Sequence, residues 1–181
     1  MSEPVSALNG ASFQGFATIR EIGPLGMITL RAKGLKSLDK AIKAVTGTKV
    51  PAQRRIEIKG DYACGWMSPD EYLLLLPYAE VGAALAKIAK ALAQEHHLAV
   101  DVSDARAVFR IEGDKADQVL RKLMPVDFDR LEPGELRRSR AAQVAAAIWK
   151  QDQGFTLVCF RSVAAYVMGL LTHSAQPGSE L

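Results

Sequence analysis

Hydrophobic and polar positions follow strand and helix periods in turn along the first half of the chain. Residues 55–59 alternate with a period of two, and residues 72–76 form a short apolar run typical of a strand covered on both faces. Gly47 is placed to end a helix. Other strands are predicted at 17–22, 27–31 and 62–67, and helices through Leu35, Leu38, Ile42 and Val45 and through Val81, Leu85, Ile88 and Leu92.

The second half predicts a similar series of elements. A strand is expected at 107–111, followed later by a hairpin with arms at 144–149 and 155–160. Asp114 and Ser162 are suited to cap two helices, because a short polar side chain accepts hydrogen bonds from the first free backbone amides. The inner faces of these helices would be Val119, Leu120, Leu123 and Met124, and Val163, Tyr166, Val167, Leu170 and Leu171.

The two halves match position by position, which indicates an internal duplication. Trp66 and Trp149 both lie in hairpin strands, and each is followed at the same interval by an aromatic residue, Tyr72 and Phe155. Each half has the order strand–helix–strand–strand–helix. This order predicts an α+β fold, in which helices pack on mixed or antiparallel sheet.

The domain organisation follows from this repeat. We expect a single α+β domain over residues 17–173, made of repeats at about 17–97 and 98–173. Residues 1–16 are small, polar and rich in glycine, and they predict a flexible N-terminal arm. Residues 174–181 predict a flexible tail.

Composition excludes several classes of protein. Of the 181 residues, 49% are apolar and 24% charged, as in globular proteins, and the net charge of +3 is too small to indicate nucleic-acid binding. No run approaches the roughly 20 apolar residues that span a bilayer. With two cysteines and no basic-then-apolar N-terminal signal, we expect a cytoplasmic protein without a disulfide framework.

The sequence offers little catalytic or cofactor-binding chemistry. Residues 23–26 have too few glycines for a dinucleotide loop, and Pro24 removes a backbone donor. Cys64 and Cys159 stand alone, and the adjacent His96 and His97 point in different directions on a regular element. Residues 101–104 (DVSD) are either a turn between the halves or an acid–base site. We therefore predict no catalytic, cofactor-binding or metal-binding residue.

Five residues remain as possible contacts with a partner or an anion. Arg137, Arg138 and Arg140 would grip a carboxylate or phosphate, dock an acidic partner, or simply be solvated. Trp66 and Trp149 are typical of core packing, with cofactor stacking as the alternative. If they lie near a partner surface instead, they would be its anchors, since aromatic and arginine side chains often dominate such surfaces.

Three segments together resemble a known family. They are residues 66–74 (WMSPDEYLL), 102–113 (VSDARAVFRIEG) and 160–166 (FRSVAAY). Their order and spacing are similar to those of the gamma subunit of heterotetrameric sarcosine oxidase, over roughly residues 17–172. Ser68 and Tyr72 depart mildly from the family's first motif. The second segment also resembles, more loosely, the glycine-cleavage T-protein and related folate-binding domains.

The resemblance implies a fold like the T-protein folate-binding domain and a role in a larger enzyme. That enzyme oxidises sarcosine to glycine, formaldehyde and hydrogen peroxide, or delivers the one-carbon unit to tetrahydrofolate. FAD, FMN, NAD and tetrahydrofolate are implied for the alpha and beta subunits, and zinc for the delta subunit. The gamma subunit is implied to carry no cofactor and to act in assembly, with no nucleic-acid or membrane partner. The alternative is a stand-alone folate-binding or one-carbon-transfer accessory protein.

Overall fold

The computed structural model describes residues 3–181, which form strands and helices in the following order. They are β1 (Ser12–Gln14), β2 (Thr18–Ile22), β3 (Gly26–Arg31), α1 (Leu38–Thr46), β4 (Ile56–Lys59), β5 (Tyr62–Ser68), β6 (Glu71–Leu76), α2 (Val81–Ala91), β7 (Leu98–Asp101), β8 (Arg106–Glu112), α3 (Ala116–Arg121), β9 (Leu136–Ala141), β10 (Val144–Gln151), β11 (Gly154–Phe160) and α4 (Ala164–Ser174). Over these residues no helix is long and apolar enough to cross a membrane.

The chain divides into two compact units. The five-stranded unit comprises residues 25–103, and the six-stranded unit comprises residues up to 24 together with 104–181. The sheet of the first has the order β4-β5-β6-β3-β7, and that of the second has the order β1-β2-β8-β11-β10-β9. All neighbouring strands in both sheets are antiparallel.

Helices α1 and α2 cover one face of the five-stranded sheet. Leu38, Ile42 and Ile88 of the helices share one apolar cluster with strand residues such as Ile28 and Leu74. These residues recur at the helical spacing seen in the sequence, which places them on one side of each helix. Gly47 ends α1 as predicted, with a left-handed φ of 68° and its N–H donating to the Lys43 carbonyl at 3.0 Å.

Helices α3 and α4 cover the corresponding face of the six-stranded sheet. Leu120 and Val167 pack there with Ile19, Phe109 and Leu157, all fully buried. The predicted caps are wrong for both helices. The N-cap of α3 is Lys115 and that of α4 is Val163, so neither Asp114 nor Ser162 takes that place. A short 3-10 turn over Arg161–Val163 begins the last helical segment and displaces its start.

The predicted α+β class and the duplication are both confirmed. A strand, a helix, three strands and a helix recur as β3 to α2 and as β8 to α4. The leading strand of each repeat is exchanged, however, since β2 pairs with β8 and β7 pairs with β3. The compact units therefore are not the same segments as the predicted repeats 17–97 and 98–173. The single-domain boundaries stay a prediction.

Three strands were not predicted from the sequence, and all lie at or near sheet edges. Strand β1 is only three residues long, and β9 carries mostly polar residues. Strand β7 ends at Asp101, where the sequence favoured a turn. These strands are short, largely exposed or mostly polar, so they lack the apolar alternation that reveals a half-buried strand.

The N-terminal segment is held by a buried carboxylate on β2. Glu21 is 4% exposed and accepts hydrogen bonds from Ser6 Oγ at 2.7 Å, from Ala7 N at 3.0 Å and from Gly10 N at 2.9 Å. Ala7 packs against the core of the six-stranded unit together with Leu8. These contacts anchor part of the segment expected to be a flexible arm. Its mobility, like that of the tail 174–181, stays a prediction.

We expect Glu21→Gln to destabilise the protein by about 1–3 kcal/mol, because one of the buried donors loses a charged acceptor. The amides of Ala7 and Gly10 should be protected from hydrogen exchange in the unaltered chain and lose that protection in the variant. Urea unfolding measures the first effect, and exchange mass spectrometry the second. Glu3→Gln, at an exposed position, is the matched control. Equal stability of the two variants would contradict the anchoring role.

The burial of Trp149 leads to a second prediction. Its side chain is 2% exposed, so Trp149→Ala should cost about 3–5 kcal/mol of unfolding free energy. Trp66→Ala should cost less, because Trp66 is only partly buried against the core of the five-stranded unit. Urea unfolding of both variants measures the difference. A Trp149→Ala chain of unchanged stability would mean that the ring is not a packing element.

Candidate partner-binding surface

Strand β9 brings the arginine run to the edge of the six-stranded sheet. Successive side chains of a strand point to opposite faces, so Arg138 and Arg140 share one face while Arg137 lies on the other. Arg138 and Arg140 are both exposed. The register places Arg140 opposite Ala145 and Arg138 opposite Ala147 of β10, two small residues. The two arginines therefore form a positively charged surface along the sheet edge.

Arg137 has a different role from its two neighbours. Its Nε lies 2.8 Å from Glu135 Oε1, and the Glu135 side chain is only 9% exposed. The other oxygen of Glu135 accepts a hydrogen bond from Glu132 N at 3.2 Å. Because a nearly buried carboxylate needs a charged partner, Arg137 stabilises the entry into β9. Arg138 and Arg140 are thus exposed on one face of the strand, and Arg137 on the other face is paired with Glu135.

The equivalent edge strand of the other repeat is apolar at these positions. In both units the edge strand is joined to its neighbour by a two-residue turn, which follows Lys59 in β4 and Ala141 in β9. Counting back from the turn, Arg140 and Arg138 correspond to Ile58 and Ile56. The charge is therefore a property of β9 and is not required by the repeat.

The two tryptophans occupy different environments. Trp149 is buried, and its Nε1 donates to Gln151 Oε1 at 3.3 Å within the same strand. Trp66 packs at the margin of the core of the five-stranded unit. Both positions agree with the core-packing interpretation that the sequence favoured. The tryptophans and the arginine pair are thus not one constellation: Trp66 and the arginines belong to different units.

Both cysteines are buried thiols. Burial raises the pKa of Cys64, with a further contribution from the charge of Glu57. Burial also raises the pKa of Cys159 to about 11, partly opposed by the charge of Arg106. At neutral pH both thiols are protonated, and the protonated thiol is a poor nucleophile and a poor metal ligand.

The remaining candidates for chemistry are engaged in holding turns. Asp101 Oδ1 accepts hydrogen bonds from Ser103 N at 2.9 Å and from Ser103 Oγ at 2.6 Å. Residues 101–104 therefore form a turn, which is one of the two alternatives that the sequence left open. His97 Nδ1 lies 2.9 Å from the Glu95 carbonyl oxygen. Among residues 3–181 no group of three His, Cys, Asp or Glu side chains is placed to hold a metal ion.

The N-terminus of α1 is where a phosphate would bind if this repeat held a nucleotide, since free amides there attract anions. The carboxylate of Glu95 already occupies it. Glu95 Oε2 accepts from Lys36 N at 2.8 Å, and Oε1 accepts from Ser37 N at 3.0 Å. The hydrogen bond from Ser37, together with that from Lys36, lowers the pKa of Glu95. A dinucleotide phosphate therefore does not fit at this strand–helix turn.

Most of the chain matches a known protein family. Residues 35–176 match the SoxG family, described as the sarcosine oxidase, gamma subunit family. The sarcosine oxidase subunit gamma of Corynebacterium sp. (strain U-96) is 35% identical over 144 residues. The match covers 75% of this chain and 67% of that protein.

Solved structures share the fold as well. A chain of heterotetrameric sarcosine oxidase from Corynebacterium sp. U-96, in complex with pyrrole 2-carboxylate, has a TM-score of 0.79 and 27% identity, covering 88% of this chain and 83% of that one. The glycine cleavage system aminomethyltransferase T from Bartonella henselae has a TM-score of 0.64 over 87% of this chain and 45% of that one. At 11% identity, the second likeness shows the T-protein-like fold alone.

The family relationship and the fold thus agree with what the three sequence segments implied. The match includes α1 to α4 and the arginine strand β9. This chain belongs to the sarcosine oxidase gamma subunit family.

Proposed function

We propose that this chain is the gamma subunit of a heterotetrameric sarcosine oxidase and acts in its assembly without carrying out a chemical step. The observation that carries the proposal is the family match over residues 35–176, together with the likeness to a chain of a heterotetrameric enzyme. In that enzyme sarcosine would be demethylated oxidatively to glycine. Because a gamma subunit works among larger subunits, its partners would be the alpha and beta subunits, with delta in the complex.

The state of this chain's own thiols and carboxylates favours a structural role over a catalytic one. The two thiols are protonated at neutral pH because they are buried. The carboxylates of Glu21, Glu95 and Asp101 accept hydrogen bonds that hold the N-terminal segment, the start of α1 and a turn. The hydrogen bonds from Ser37 and Lys36 lower the pKa of Glu95, so this carboxylate is charged at neutral pH and poorly suited to exchange a proton during a reaction.

The cofactors of the reaction would be held by the partners. FAD, FMN, NAD and tetrahydrofolate are proposed for the larger subunits. They would supply the oxidation of sarcosine and the acceptance of its one-carbon unit. This chain would contribute a binding surface that holds the partners in position.

We propose that Arg138 and Arg140 contact a partner and that Arg137 stabilises their strand through Glu135. Trp149 would support the six-stranded sheet through packing, and Trp66 would do the same in the five-stranded unit.

We expect co-expression of the affinity-tagged chain with the alpha, beta and delta subunits of sarcosine oxidase from the same organism to yield a yellow complex. Flavin absorbance should elute with the tagged chain in gel filtration, because the partners bind the flavins and this chain binds the partners. The tag without the chain is the control. Elution of the tagged chain alone, while the other subunits elute together with their flavin, would contradict the proposed function.

A further inference from the structure

The outer side of β9 presents backbone groups as well as charge. Strand β9 is the last in its sheet, and the two-residue turn at 142–143 fixes its hydrogen-bonding pattern. In a two-residue hairpin, the pair that flanks the turn exchanges hydrogen bonds, and every second pair after it does the same. That pair is Ala141 with Val144. The N–H and C=O of Arg140 therefore point away from β10, toward the open edge.

The exposed side chains of this edge have the spacing of a strand. Arg138 and Arg140 lie on one face about 7 Å apart, the separation of alternate residues in any extended segment. An added strand would place its own alternate side chains opposite them. Cross-strand pairs of opposite charge stabilise such an arrangement, and pairs of like charge destabilise it. The edge thus favours a strand with acidic residues at alternate positions.

Strand β9 of a second copy of this chain is poorly suited to pair with this edge strand. Pairing two such strands would bring arginines against arginines, which is the usual way in which proteins prevent self-association at a sheet edge. The equivalent strand β4 carries Ile56 and Ile58 at the matching positions, so its edge has no such preference. Charge complementarity therefore selects a different, acidic chain.

We propose that an extended acidic segment of a larger partner subunit adds to β9 as a further strand, with carboxylates at alternate positions facing Arg138 and Arg140. This inference rests on the proposed function and names the surface through which the assembly forms. Backbone hydrogen bonds to the edge give affinity, and the two ion pairs set register and exclude neutral or basic segments.

The first test reverses the charge of the edge. We expect the double variant Arg138→Glu with Arg140→Glu to raise the Kd for the purified complex of the other subunits on the order of 10- to 100-fold, because attraction becomes repulsion. Lys87→Glu with Lys90→Glu is the matched control: it changes the net charge equally at exposed positions of α2. The control should bind within about twofold of the unaltered chain. Thermal unfolding shows that each variant is folded.

The outcomes of this test separate the two proposals. Equal binding by the arginine variant and the unaltered chain would overturn the strand-addition inference and leave the proposed function standing. An equal loss of affinity in both double variants would also overturn the strand-addition inference, because the net charge of the chain and not strand β9 would then determine binding. If the unaltered chain itself does not bind the other subunits, the proposed function fails and the inference fails with it.

The second test distinguishes strand addition from a purely ionic contact. Arg140→Pro removes the charge and the outward N–H, whereas Arg140→Ala removes only the charge; an outward-facing proline is tolerated at a sheet edge. We expect binding to be weaker for Arg140→Pro than for Arg140→Ala, at equal thermal stability. Equal binding of the two variants would overturn strand addition.

A crosslinking measurement keeps the inference testable if the proline variant does not fold. In Arg140→Lys the new amine can be joined to a neighbouring carboxylate by a carbodiimide. Mass spectrometry of the assembled complex should find position 140 linked to an Asp or Glu of a larger subunit, within a segment rich in acidic residues. Assembly without any link from position 140, or a link into a segment of no acidic character, would overturn the inference.

Discussion

The exchange of leading strands between the two repeats is the constraint on which the rest of the structure depends. Strand β2 precedes the five-stranded unit in the chain but pairs with β8, and β7 precedes β8 but pairs with β3. A chain cut between the repeats would leave the five-stranded sheet without β7 and the six-stranded sheet without β1 and β2. Each sheet on which helices pack is therefore completed by a strand from the other half of the chain.

Each of the two exchanged strands carries an acidic residue that accepts hydrogen bonds. Glu21 on β2 and Asp101 on β7 occupy matching places, opposite Phe109 and Ile28 respectively. Each accepts hydrogen bonds from a neighbouring segment: Glu21 from residues 6–10 and Asp101 from Ser103. Glu21 thus secures the segment that leads into β2, and Asp101 secures the turn that follows β7. Only Glu21 is buried, and its hydrogen bonds account for a carboxylate in apolar surroundings.

Much of the fold could be predicted from the sequence because its buried elements have clear periods. The two hairpins, all four helices and the duplication follow from apolar spacing and the paired Trp66 and Trp149. Strands β7 and β9 were missed because β7 is only four residues long and largely exposed, and β9 carries mostly polar residues. The burial of Glu21 was missed because two of its three partners are backbone amides, which leave no trace in the residue types. Of the candidate surface, the sequence identified the arginines but not that Glu135 holds Arg137 apart from the other two.

In the proposed complex the chemistry lies in the partners, and this chain has a structural part. The most direct measurement is sarcosine-dependent hydrogen peroxide formation by the purified chain, alone and after addition of the other subunits. The account predicts no peroxide and no flavin absorbance from the chain alone, and full turnover in the reconstituted complex. Peroxide formed by the isolated chain, with flavin bound to it in stoichiometric amount, would contradict the account.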